Sequence, residues 1–165
     1  MLLKGSCHCR AVRFTVESPA PYPYMHCYCS ICRKTAGGGG YAINIIGEAG
    51  TLKVSGRSNL AVYNAKLSVR AKKCSPGRRH FCRRCGSALW VYDPRWPEWV
   101  YPFASAIDTR LPRPKERQHI MLSSKADWVQ VDGRAPDRCF REYPKEAIID
   151  WHKKRGLLAC DNPAP

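Results

Sequence analysis

Seven of the ten cysteines fall into three short clusters: Cys7-His8-Cys9, Cys27-Tyr28-Cys29-Ser30-Ile31-Cys32 and Cys82-Arg83-Arg84-Cys85. Thiolates spaced this closely are how a chain grips a soft metal ion. Zinc takes four such ligands in a closed structural site, and three plus an open position in a catalytic one. Seven divides as four plus three, so the chain is expected to fold around one closed site and one open one. A disulfide framework is the rival. C-x-C and C-x-x-C pairs are poor partners for long-range bridges, and Met1-Leu2-Leu3-Lys4 runs straight into Gly5-Ser6-Cys7 with no charged-then-apolar leader. The expectation is therefore a cytoplasmic setting in which thiols stay reduced.

With 165 residues the chain can bury a core of its own in one domain. It is read as a zinc-binding β domain over 1–143, followed by a C-terminal helix and tail over 144–165. No apolar run approaches the roughly 20 residues that a membrane helix needs. The formal charge is +15 with neutral thiols. Seven thiolates around two Zn²⁺ would bring it to about +12, still strongly basic. A basic balance argues for an anionic partner, whether nucleic acid, a membrane surface or a small acidic ligand. From Lys66 to Arg84 there are eight Lys or Arg and no acid. That run reads either as a solvated face balancing the metal–thiolate centres, as a receptor for carboxylates, or as a nucleic-acid footprint. No nucleic-acid motif accompanies it and aromatics are not interleaved with its charges. A non-catalytic, zinc-stapled module that binds nucleic acid or another polyanion is thus the alternative rather than the favoured reading.

The first half reads as short strands cut by turns. Ala11–Val16 alternates apolar and polar side chains, as a half-buried strand does. Pro19, Pro21 and Pro23 form a rigid loop leading to the second cluster, and Gly37–Gly40 is a flexible run. Tyr41–Ile46, Thr51–Val54, Leu60–Tyr63, Ala88–Tyr92, Trp99–Ile107 and Ile120–Leu122 are further strand candidates, with a turn at Ser55–Ser58. A helix is expected over Lys145–Gly156, with Pro144 before it, cations in its last turn and Gly156 as its stop. A short helical turn is expected over Ser30–Ala36. The class is mainly β.

Cys82-x-x-Cys85 followed by Gly86 has the form of a tight metal-binding turn, and Cys7-x-Cys9 can chelate from a bent strand end. Pairing the two gives a closed four-sulfur site that staples the N-terminus to mid-chain and contributes directly to folding. Cys27, Cys29 and Cys32 remain as the open set. His26, His8 or Cys74 could instead complete that shell. A soft, thiolate-rich zinc with a free position favours an entering thiol. Arg33 and Lys34, just past Cys32, are placed to hold an anion beside it, and Tyr22, Tyr24 and Tyr28 crowd it. Cys74, Cys139 and Cys160 stand alone and read as small hydrophobes. Asp108 and His119 are further acid–base candidates.

The ordered set Gly5-Ser6-Cys7-His8-Cys9, Val12-Arg13-Phe14, Cys27-Tyr28-Cys29-Ser30-Ile31-Cys32-Arg33 and Phe81-Cys82-Arg83-Arg84-Cys85-Gly86 resembles the glutathione-dependent formaldehyde-activating enzyme family. That family includes the centromere protein V relatives. Ala106-Ile107-Asp108, His119-Ile120 and Ala126-Asp127-Trp128 extend the likeness, which covers about residues 2 to 130. The resemblance implies an Mss4-like fold of twisted antiparallel sheets stapled by two Zn²⁺. It implies a structural ion on Cys7, Cys9, Cys82 and Cys85 and a catalytic one on Cys27, Cys29 and Cys32. The implied activity is that of a carbon–sulfur lyase joining glutathione and formaldehyde as S-hydroxymethylglutathione. Arg10 departs from the pattern, standing where glycine is common.

Overall fold

The computed structural model describes residues 1–67, 73–131, 133–134 and 137–158. Twelve strands and two helices follow in chain order: β1 (Leu2–Ser6), β2 (Arg13–Glu17), β3 (Met25–Cys27), α1 (Ser30–Thr35), β4 (Ala42–Ile43), β5 (Gly47–Glu48), β6 (Lys53–Ser55), β7 (Leu60–Lys66), β8 (Cys74–Cys82), β9 (Ala88–Tyr92), β10 (Trp99–Pro102), β11 (Gln118–Ile120), β12 (Arg138–Cys139) and α2 (Ile148–Lys154). They form three sheets, ordered β1-β2-β6, β5-β10-β9-β8-β7 and β12-β11-β3-β4. The first two are antiparallel throughout, whereas β11 pairs parallel with both β3 and β12.

The five-stranded sheet lies in the middle, and the two-residue period of its strands sends side chains to opposite faces. Arg78, His80, Trp90, Tyr92 and Val100 share one face, and Arg79, Val91 and Tyr101 share the other, as their cross-strand pairs require. The Trp90 face joins Leu3, Phe14, Val16 and Val54 in the first core, where Phe14 meets Trp90 edge-on at 5.1 Å. The Val91 face joins the second core with Met25, Cys27, Cys32, Phe103, Ile120 and Trp151. Helix α2 belongs to this second core. Its Trp151 stacks on Tyr24 with ring centroids 3.7 Å apart.

Most expected strands are present with changed bounds, Thr51–Val54 shifting to β6 and Ile120–Leu122 to β11, whereas β1 and the nine-residue β8 fall where no strand was expected. The Ala88–Tyr92 strand stands as expected, and α1 realises the short turn at Ser30. Leu60–Tyr63 extends to Lys66 because it pairs along the nine-residue β8. Three candidates are cut short. Tyr41–Ile46 keeps only β4, because Asn44 leaves it to bridge Phe103. Trp99–Ile107 stops at Pro102 and turns through a 3₁₀ segment at Ala104–Ala106. The helix begins three residues late, at Ile148, after an extended Ala147. The tail lies outside the described residues from 159 onward. Among the described residues, no helix is long and apolar enough to cross a membrane.

Candidate metal centre

The four-cysteine site forms where two turns meet. The chain leaves β1 and doubles back through Cys7–Val12, with Arg10 N–H donating to the Cys7 carbonyl at 2.9 Å. This turn needs a left-handed residue, and Arg10 supplies it at φ 57°. That conformation strains a side chain and suits glycine, so Arg10 adopts it at a local cost. The second turn follows β8, where Gly86 at φ 75° donates its N–H back to the Cys82 carbonyl at 2.8 Å. The Cys7 and Cys9 sulfurs are 3.5 Å apart, and those of Cys9 and Cys82 are 3.8 Å apart. Sulfurs held about 2.3 Å from a tetrahedral zinc would be spaced about 3.8 Å. All four sulfurs, Cys85 included, lie within 4.8 Å of one another. Val12 N–H donates to the Cys7 sulfur at 3.2 Å, which fixes the sulfur's position in the turn.

The three-cysteine site is built at the β3–α1 junction. Cys27 ends β3, Cys29 caps α1, and Cys32 lies one turn on, where its N–H donates to the Cys29 sulfur at 3.3 Å. These three sulfurs also lie within 4.8 Å of one another, and no histidine or carboxylate among the described residues joins them. His26 turns aside to stack on Tyr41 at 4.5 Å, and Cys74 is exposed at the start of β8. Tyr28, between Cys27 and Cys29, points away from the sulfurs. Its hydroxyl meets His119 Nδ1 at 2.8 Å and its N–H donates to the Ile120 carbonyl, so β11 pins the loop from behind.

Three thiols this close cannot all ionise without a cation. Hydrogen bonds from Cys27 and Cys32 hold the Cys29 pKa far below the usual thiol range. Hydrogen bonding to Cys29 pushes that of Cys27 far up. A dication makes the three-thiolate state favourable. Both clusters therefore fit zinc in donor chemistry and spacing.

Arg33 and Lys34 sit in the last turn of α1. A cleft of about 440 Å³ runs from the His8–Arg10 loop to Thr35 and Ala36 at the end of that helix, with Asp108 on its wall. His119 lies apart, buried behind Tyr28 with Nε2 3.6 Å from Asp137. Among its described residues, the basic run does not form one surface. Arg78 and Arg79 point to opposite faces of β8, Arg83 donates to the Leu60 carbonyl, and 68–72 lie outside the described residues. Sequence reasoning alone does not single out Arg79. The signal available for it is the β alternation, which places its side chain beside Val91 on the face that packs with Cys27 and Cys32.

The comparisons agree with this geometry. Residues 2–124 match the family model described as glutathione-dependent formaldehyde-activating enzyme. A Halomonas elongata protein, provisionally named a glutathione-dependent formaldehyde-activating enzyme, is 62% identical over 157 residues, covering 95% of this chain and 98% of that one. A Rhodobacter sphaeroides protein of known crystal structure aligns with TM-score 0.51 and 29% identity over 66% of this chain and 91% of that one. A mainly β, Mss4-like fold with two clusters able to hold zinc, and a sequence match over most of its length, place the chain in the glutathione-dependent formaldehyde-activating enzyme family.

Proposed function

We propose that the chain is a zinc-dependent enzyme of the carbon–sulfur lyase type acting on a thiol–aldehyde adduct, with S-hydroxymethylglutathione as the model substrate. Cys7, Cys9, Cys82 and Cys85 hold a structural ion, and Cys27, Cys29 and Cys32 hold a catalytic one. The observation that carries this reading is the three-sulfur cluster, which no histidine or carboxylate among the described residues completes. Cys27, Cys29 and Cys32 would hold the ion, and zinc bound there would supply a Lewis acid that favours the thiolate form of an entering thiol.

The chain's own residues shape the rest. Val91, Met121 and Phe140 pack around the core that contains Cys27 and Cys32, and this apolar wall limits water at the sulfurs. The Tyr28–His119 hydrogen bond fixes the loop so that the sulfurs keep their spacing. Arg33 and Lys34 hold the carboxylates of the thiol. The reaction itself asks little of the protein. The thiol sulfur adds to the aldehyde carbon, one C–S bond forms, and the thiol proton ends on the carbonyl oxygen. The reverse step breaks the same bond and returns the proton. Holding the two reactants together can contribute several kcal/mol to lowering the barrier.

The test is a titration of zinc-loaded protein with glutathione, followed by X-ray absorption at the zinc edge. An added sulfur neighbour, together with faster exchange of the glutathione–formaldehyde adduct, is expected. No added sulfur and no acceleration would refute the reading.

A further inference from the structure

Arg79 is a buried arginine, 9% exposed, in the middle of β8. A guanidinium cannot shed its charge, so burial requires a compensating anion. No carboxylate among the described residues lies within ion-pair distance of it. Asp93, whose charge Arg79 does reach, is clasped instead by Arg95, which donates from Nε at 3.0 Å and from Nη2 at 2.7 Å. Arg79 spends one donor on the Gly77 carbonyl at 3.1 Å, and its Nε is buried with no hydrogen-bond partner. Its side chain projects from the same sheet face as Val91, which packs in the core with Cys27 and Cys32.

The missing anion follows from the chemistry of the cluster. Three thiolates around a dication leave a net charge of about −1, and a fourth thiolate makes it about −2, in a site shielded from water. We infer that Arg79 is the charge-offsetting, positioning residue of the three-cysteine centre, and that it favours entry of an anionic sulfur ligand there whatever that ligand's carboxylates. This inference rests on reading the centre as a thiol-binding zinc site. It assigns Arg79 a role separate from that of Arg33 and Lys34, which are given the substrate's carboxylates.

The test compares zinc-loaded wild type with Arg79→Gln and Arg79→Lys. Two thiols are titrated by calorimetry: glutathione, and 2-mercaptoethanol, which carries no carboxylate. Zinc retention is measured beside them by competition with a chromophoric chelator. Arg79→Gln is expected to weaken binding of both thiols about ten- to a hundredfold, as loss of a nearby unit charge in a partly shielded site would. It should also release one zinc more readily. Arg79→Lys should restore most of both losses. Weaker binding of glutathione alone would make Arg79 a carboxylate receptor and overturn the assignment. A lower melting temperature with unchanged binding of both thiols would make it merely structural and overturn it equally. If Arg79→Gln does not fold, a folded Arg79→Lys that binds both thiols tenfold more weakly is the overturning result. Failure of wild type to take up a thiol sulfur would sink the thiol-binding reading and this inference together. Uptake by wild type with no change in Arg79→Gln would sink this inference alone.

Discussion

The two cysteine sites close loops of very different length, and stability should register the difference. The sulfurs of Cys9 and Cys82 are 3.8 Å apart although the two residues are 73 positions apart in sequence. Cys27 and Cys32 span about five residues. The entropy of closing a loop grows as roughly (3/2)RT ln n, so a metal in the four-cysteine site restrains the unfolded chain by about 2.4 kcal/mol more than one in the triad. In a chain of this size each kcal/mol moves the melting temperature by about 2–4 °C. Cys85→Ser and Cys29→Ser make the matched pair, since Cys85 is exposed and Cys29 half-buried, so neither replacement empties the core. Each variant should lose one zinc by elemental analysis of the purified protein. Scanning calorimetry should then place Cys85→Ser about 5–10 °C below Cys29→Ser. Equal melting temperatures, or a lower one for Cys29→Ser, would refute the division into a site that holds the fold and a site that does not.

Three further outcomes follow from the packing. Trp151→Ala removes the ring stacked on Tyr24 and should cost about 3–5 kcal/mol, seen as a fall in melting temperature of about 10 °C. Gly56 sits at φ +72° in the turn before β7, and a Cβ there would collide with the Ala11 carbonyl oxygen. Gly56→Ala should therefore cost about 2–3 kcal/mol and speed zinc loss to a chelator, because Ala11 lies in the turn that carries Cys9. Burial pushes the His152 pKa down to about 4 from 6.5. A depressed histidine is neutral when folded and takes up its proton on unfolding, so stability is whole above about pH 6.5 and lost as pH falls toward 4. In urea titrations at pH 7 and pH 4.5, the advantage of wild type over His152→Gln should shrink by up to about 2.4 kcal/mol. An advantage independent of pH would show that His152 is not buried neutral.

The grouping of seven cysteines into four and three is legible in the sequence because ligand spacing is local: C-x-C and C-x-x-C turns bring sulfurs together whatever the rest of the chain does. The mainly β class is legible for a similar reason, since alternation in stretches such as Leu60–Tyr63 and Ala88–Tyr92 is a property of each strand. Strand ends are not local. The strands ending at Ile43 and Pro102 stop where Asn44 bridges Phe103 and the 3₁₀ turn begins. The parallel pairing of β11 with β3 joins residues more than ninety positions apart, and no pattern in either segment announces it. The same holds for the surroundings of the triad. Arg79 reads in sequence as one more charge in a basic run of eight between Lys66 and Arg84. Only the packing of the β8–β9 sheet face against the second core makes it a buried cation on the face it shares with Val91, because burial and charge compensation depend on which faces meet. Local spacing determined that this chain could hold metal, and tertiary packing decided what surrounds the three-cysteine cluster.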